Sequence, residues 1–328
     1  MGQADITLTA GARRIGTQTI QLLILVGILL LIMVVATILT PKFLSYVNMV
    51  NVLMQVAMIM LTGSAAVLLM IAGNFDLSVG MVFALTGVMH AFLSKNGVPT
   101  ALSMVVTILI GSAFGLINGA MVTKLKITPV IATLGTMYVA QGLAFIVAWL
   151  DGGANVTTGL PRDFQTFGRT MVGSIPLFLI IVVALIIVFG FLFAKTNLRK
   201  YAFAIGGNPV AARLSGIRVG AVITALYVLV GTLTGFGGAT LASRMGSGSP
   251  KVGTGFEFDV IVAIVLGGTS IYGGEGSFLG MIIGALIVGF VGNILNLLNV
   301  QFFYQTVLKG LILVGAVLLT RIIRERRG

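Results

Sequence analysis

Long apolar runs separated by short polar breaks constrain this chain more than any other feature. Residues 20–39 and 177–194 carry no charge at all, and residues 307–320 carry only Lys309. About 20 apolar residues span a bilayer as a helix, and lipid requires every backbone polar group to be satisfied within the protein. Hydrophobic residues make up 58% of the chain and charged residues 9%, with a mean hydropathy of +1.13. That much apolar surface exceeds what one soluble core can hide. The pattern predicts an all-α polytopic membrane protein whose function concerns what crosses the membrane.

About ten transmembrane helices are expected, near residues 19–40, 48–72, 77–94, 100–123, 129–149, 175–194, 220–242, 258–273, 278–298 and 302–320. They form one transmembrane domain, 19–320, between an N-terminal tail, 1–18, and a C-terminal tail, 321–328. The first apolar run is too long for a signal-peptide core and lacks a clear small-residue cleavage site, so it reads as an uncleaved span. Twenty Lys and Arg face eight Asp and Glu, a formal charge of +12. In a soluble chain that balance suggests nucleic acid. Here basic residues gather at cytoplasmic span ends, and no nucleic-acid partner is expected. With the N-terminus inside, Arg13, Arg14, Lys124, Lys126, Lys195, Arg199, Lys200, Arg213, Arg218 and the C-terminal arginines fall on the inner side. Lys42, Lys95, Arg162, Arg169, Arg244 and Lys251 fall outside. Both tails are therefore expected in the cytoplasm.

The two halves echo each other in order. Phe75-Asp76-Leu77-Ser78-Val79 resembles Phe258-Asp259-Val260-Ile261-Val262, and the glycine-flanked runs 115–119 and 284–289 also match. An odd number of spans separates the matched segments, so the fold class expected is two inverted five-helix repeats, an arrangement that places a pathway at the repeat interface. The alternative is coincidence in a low-alphabet sequence. Gly111, Gly115 and Gly119, Gly231 and Gly235, and Gly280 and Gly284 carry the spacing that lets helix backbones approach closely. Residues 72–74, Gly267-Gly268 and Gly273-Gly274 are expected to interrupt helices.

The longest basic cytoplasmic segment, 195–219, lies between spans six and seven. Asn208 suits a helix N-cap, Pro209 the first helical position, and Gly216 the stop. Ala211, Ala212, Arg213, Leu214 and Ser215 fall on that short helix or at its end. Such a helix suits docking into a partner's groove; an ordinary connector is the plain alternative.

These residues carry a resemblance. The run Gly206-Gly207-Asn208-Pro209-x-Ala211-Ala212-Arg213-Leu214-Ser215-Gly216-Ile217 resembles the coupling segment of ribose/arabinose/xylose-type ABC importer permeases. Asn74-Phe75-Asp76-Leu77-Ser78-Val79-Gly80 resembles a second motif of that family, with Phe75 in place of the usual Ile. Residues 131–137, 241–244, 253–261 and 265–277 extend the likeness, which runs from about 40 to 320. The resemblance implies a bacterial inner-membrane subunit that imports a monosaccharide, pentose or hexose. It implies three partners: an ABC ATPase (two copies or one double cassette), a periplasmic sugar-binding protein, and a second permease subunit (the same chain or a paralogue). ATP and Mg would belong to the ATPase; no cofactor is expected in this chain. Consistent with that division, no Gly-Lys dipeptide occurs, so no P-loop of the usual type is present.

Candidate pathway residues are Asn118, Thr133, Thr136, Gln141, Asn293, Asn296, Gln305 and Phe83. The polar ones suit sugar hydroxyls or helix-bridging hydrogen bonds; Phe83 suits a sugar face or core packing. Arg244, Lys251 and Glu257 are candidates for docking a binding protein on the outer side. Asp76, with Ser78 beside it, and Asp259 suit helix capping or gating. Lys309 lies inside a span, where an ionisable group faces the bundle or a wet cavity, and is expected to pair with Asp259. A secondary transporter normally needs ionisable groups near the midplane, and few acids are expected there. With no cysteine and only His90, a thiolate, a His cluster and a membrane-embedded enzyme are all disfavoured.

Overall fold

The structure, a computed structural model, describes residues 4–153, 155, 156 and 159–325. Five helices open the chain: α1 (Ala4–Leu39), α2 (Tyr46–Ile71), α3 (Val79–Lys95), α4 (Thr100–Thr123) and α5 (Pro129–Leu150). A non-spanning excursion follows, with a 3-10 turn (Arg162–Gln165), α6 (Thr166–Arg169) and a two-stranded antiparallel ribbon of β1 (Met171–Val172) and β2 (Ile175–Pro176). Then come α7 (Leu177–Lys195), α8 (Asn197–Gly207), α9 (Pro209–Leu214), α10 (Val219–Met245), α11 (Phe256–Leu266), α12 (Phe278–Leu297) and α13 (Phe302–Glu325).

Among the described residues, seven helices are long and apolar enough to cross a membrane: Thr19–Leu39 within α1, and α2, α4, α5, α7, α10 and α12. The third expected span is the shorter apolar α3, and the tenth falls on α13. The eighth needs correction. Residues 258–273 are not one helix; α11 ends at Leu266, and Gly268, Gly273 and Gly274 then take left-handed backbone that glycine alone adopts freely. Eleven residues reach only about 16 Å, half a hydrocarbon core. Residues 4–18 continue α1 as helix, and α13 runs on to Glu325; residues 1–3 and 326–328 lie outside the described residues.

α2 is the hub, buried on nearly every side from Val56 to Ile71 and packed against α7, α10, α11 and α12. α1 lies at the periphery with most of its apolar surface exposed. The small-residue spacing does what packing in lipid requires. A Cβ at Gly111 or Gly231 would run into the other's carbonyl oxygen, so α4 and α10 touch backbone to backbone. Gly280 and Gly284 bring α12 equally close to Gly267 and Ala263 of the α11 end.

Two helices begin inside the bundle. α2 stops at Ile71, Gly73 turns left-handed at φ 77°, and residues 72–78 lead to the start of α3. On the other side, α10 ends in a left-handed cap at Gly246 and the chain runs back along α3. Gly248 packs on Val88 and Gly253 packs on the Gly80 carbonyl. Those α3 positions are eight residues apart, so the chain sinks about 12 Å before α11 starts. α11 therefore begins beside the beginning of α3. At the far ends the interruptions meet as well: Gly274 N–H donates to the Ile71 carbonyl at 2.9 Å.

Candidate functional site

The expected coupling segment folds as two short helices. α8 lies against the end of α2, where a Cβ at Gly206 would collide with the Ile71 carbonyl and the Gly274 amide. One face of this knob thus touches both helix interruptions. Arg199 sits over the rings of Phe193 and Phe203, at 5.1 and 5.5 Å, which fixes α8 to the end of α7. Asn208 caps α9, its Oδ1 accepting from the amides of Val210 and Ala211 at 3.0 Å each. Pro209 takes the first helical position, Ser215 Oγ donates to the Ala211 carbonyl, and Gly216 turns the chain at φ 84°. Ala212 is buried, while Ala211, Arg213 and Ser215 are exposed. Val210 and Leu214 are 67% and 85% exposed, an apolar tip with nothing against it.

The second group centres on Asp76, buried in the 72–78 stretch. Its Oδ1 accepts from the Ser78 amide at 2.8 Å and from Ser78 Oγ at 2.6 Å. Asn118 Nδ2 donates to Asp76 Oδ2 and to Ser78 Oγ, and Thr136 Oγ1 donates to Asn118 Oδ1 at 2.7 Å. Tyr227 OH donates to the Phe75 carbonyl. Residues from α4, α5 and α10 thereby lock the start of α3. The expected capping role takes the form of an aspartate turn just before the helix, with Ser78 at the cap position itself.

The eight candidate pathway residues do not converge on one cavity. Asn118 and Thr136 belong to the Asp76 network, and Thr133 Oγ1 donates to the Pro129 carbonyl of its own helix. Gln141 is half-buried on α5. Asn293 exchanges two amide hydrogen bonds with Asn48, joining α12 to α2. Gln305 Nε2 donates to Asn296 Oδ1 and to the Val300 carbonyl. Phe83 is buried and stacks on Phe256 at 4.6 Å, so neither ring face is open.

The third group sits at the start of α11. The expected contact is made: Lys309 Nζ lies 2.7 Å from Asp259 Oδ1 and 3.0 Å from Oδ2. Glu257 needs correction. It was expected on the outer rim but is buried, 6% exposed, because the segment before it dives into the bundle. Its Oε2 lies against Gly80, without a hydrogen-bond partner. Asp76, Glu257 and Asp259 place three carboxylates within the helical bundle. Among the described residues no group of three or more His, Asp and Glu could hold a metal ion.

Lys251 is exposed. Arg244 Nη2 donates to Asn51 Oδ1, and Arg169 Nε donates to the Arg244 carbonyl. The two arginines line a cavity of about 240 Å³ with Val50, Met54, Gly168, Met171 and Pro176. Nearby, Lys95 pairs with Asp151 at 2.8 Å, and Thr100 Oγ1 donates to Asp163. Arg169, Asp151, Asp163, Asn48, Asn51 and Tyr227 were missed as polar anchors. Their partners lie from 56 to 245 residues away, and no local pattern signals such pairs.

A capped knob thus sits on two touching helix interruptions. Residues 48–317 match the family described as branched-chain amino acid transport system / permease component. The chain belongs to this permease family. A ribose import permease protein of Bacillus subtilis is 41% identical over 293 residues, covering 89% of this permease and 90% of the relative. A ribose import permease protein of Escherichia coli is 35% identical over 297 residues, covering 90% and 91%. An L-arabinose ABC transporter permease protein of Azospirillum brasilense is 38% identical over 307 residues, covering 92% and 88%. The resemblance to monosaccharide ABC importer permeases thus holds for the permease over most of its length. No solved structure matches it.

Proposed function

We propose that this permease is the membrane subunit of an ATP-driven, binding-protein-dependent importer of a monosaccharide, a pentose or hexose of the ribose, arabinose or allose kind. The sugars that its relatives carry support that substrate class. The observation that carries the mechanism is the α8–α9 knob. Its exposed tip, Val210, Arg213 and Leu214, is free to enter a groove on an ABC ATPase. Its inner face touches both interruptions, through Gly206 against Ile71 and Gly274. Motion delivered to the tip reaches the inner ends of α2 and of the 267–277 segment by direct contact.

Alternating access follows from that connection. The α2–α3 and α10–α11 units each pair a long helix with a short one starting inside the bundle. They support the reading of ten membrane segments in two inverted repeats, with both termini in the cytoplasm. The Arg169–Arg244 cavity supplies positive charge for an acidic side chain of the periplasmic sugar-binding protein; Lys251 adds to the rim. Two permease subunits, identical or paralogous, enclose the pathway. The permease forms and breaks no covalent bond; ATP and Mg act in the partner ATPase.

The test is reconstitution of the purified permease with its ATPase and binding protein in liposomes. ATP-dependent uptake of D-ribose, L-arabinose or D-allose is expected, and Leu214→Glu should abolish it while leaving yield and melting temperature unchanged. Uptake driven by an ion gradient without ATP would overturn the reading. That secondary-transport outcome has one observation behind it, the buried carboxylates Asp76, Glu257 and Asp259.

A further inference from the structure

Lys309 lies seven residues into α13, about 10 Å along it. Its side chain is 34% exposed although it pairs with Asp259. The lipid-like face of α13 is elsewhere: Val307, Leu311, Val314 and Leu318 are exposed at spacings of four, three and four, one stripe of the helix. Lys309 stands off that stripe and lines a crevice between α11, α12 and α13. An ammonium open to hydrocarbon at this depth is expensive, so an intramembrane lysine with exposed surface faces water or protein. The crevice encloses about 40 Å³. That is room for two or three waters or one hydroxymethyl group.

The lining is mixed in chemistry. Lys309, Asp259 and Gln305 supply its polar groups, and Val262, Ile287 and Leu308 are among its apolar ones. The ammonium offers donors and the carboxylate acceptors; both Gln305 amide hydrogens are taken by Asn296 and Val300, which leaves its carbonyl oxygen as an acceptor. A sugar ring presents the matching pattern, hydroxyls that donate and accept on its edge and C–H groups on its face. We propose that this crevice is a wall of the translocation pathway, where Asp259 and Lys309 exchange hydrogen bonds with the hydroxyls of a neutral polyhydroxylated solute in transit. The proposal rests on the importer reading above and adds the residues that meet the solute.

The permease contains no cysteine, so single introduced thiols report cleanly. Leu308→Cys in the crevice and Leu311→Cys on the stripe are each reconstituted with ATPase and binding protein and treated with a charged methanethiosulfonate reagent. Modification of Leu308→Cys at least about 10-fold faster than Leu311→Cys is expected, because charged reagents follow water. D-ribose-loaded binding protein with ATP should slow it several-fold. Equal, slow modification at both positions would overturn the proposal, as would fast modification that turnover does not slow. In a second arm, Lys309→Gln and Asp259→Asn should raise the ATP hydrolysed per sugar imported; an unchanged ratio overturns the solute contact, since a pair that only fastens helices would lower both quantities together. If these variants fail to assemble, the thiol arm, which leaves the ion pair intact, decides. A wild-type complex that imports no monosaccharide would break the importer reading instead, and the rate contrast between the two thiols would still tell whether the crevice is wet.

Discussion

The beginnings of α3 and α11 lie side by side, and they treat buried charge in opposite ways. Asp76, before α3, is saturated: the Ser78 amide and hydroxyl and the Asn118 amide all donate to it, and Thr136 holds Asn118 in place. At the start of α11, Asp259 has one cation, itself partly exposed, and Glu257 Oε2 has no partner. Helix N-termini favour negative charge, so both starts can hold an anion. The first is closed by hydrogen bonds on both carboxylate oxygens; at the second, Glu257 keeps one oxygen bare. A saturated carboxylate fixes backbone; an unsaturated one is available to something else. The first start is fastened by its carboxylate; the second has hydrogen-bonding capacity left over.

The largest effect should come from forcing the two starts apart. A Cβ at Gly253 would overlap the Gly80 carbonyl, with rigid backbone on both sides. Gly253→Ala should cost about 3 kcal/mol or more, at or beyond the upper end for overpacked cores. Heating detergent-solubilised protein and following the monodisperse fraction checks this. Gly135→Ala is the control: nothing lies within 4 Å of a Cβ there, and α5 should gain up to about 1 kcal/mol. Equal melting of the two variants would deny that the two starts are in contact.

Next in size is the saturated carboxylate. Asp76→Ala strands the Ser78 amide and removes one acceptor from Asn118, both buried. At 1–3 kcal/mol for a stranded buried donor, a loss of about 3 kcal/mol is expected. Asp76→Asn keeps one acceptor oxygen and should lose less. A neutral Asp76→Ala would erase the contrast between the two starts.

Much of this was legible in the sequence, and what was not has a physical cause. Helix existence follows from apolar length, and the breaks at Gly73, Gly268, Gly273 and Gly274 follow from glycine's freedom at positive φ. The Asn208 cap and the Lys309–Asp259 pair were foreseeable, the first as a local pattern and the second because a lone intramembrane cation needs a partner. The depth of Glu257 was not. Hydropathy places residues 258–273 in a span but says nothing of whether the chain before it turns at the surface or dives. Here small residues decide it: Gly248 and Gly253 let the backbone sink along α3. The reciprocal Asn48–Asn293 bonds were equally hidden, because a contact across 245 residues leaves no local trace.

The ion pair should give a smaller loss. Lys309→Met leaves Asp259 unpaired, and a buried pair broken this way costs about 3–5 kcal/mol. Solvent at the partly exposed Lys309 should reduce that to about 2 kcal/mol. Adding Asp259→Leu should recover part of it. Strictly additive losses in the double-mutant cycle would remove the pair as a unit and weaken the case for the crevice.

The smallest effect on stability sharpens the comparison most. Glu257→Gln keeps size and shape and removes a buried charge, one oxygen of which has no hydrogen-bond partner. Replacing a buried carboxylate that keeps one bare oxygen by a neutral isostere is neutral or stabilising, so melting should stay level or rise by up to about 1 kcal/mol. A carboxylate kept at a stability cost, in a place where an amide fits, is a carboxylate in use. Sugar uptake by Glu257→Gln in the reconstituted complex should therefore fall while the fold is unharmed. Melting that drops as far as in Asp76→Ala would show that Glu257 is fastened too, and the two starts of the bundle would then be alike.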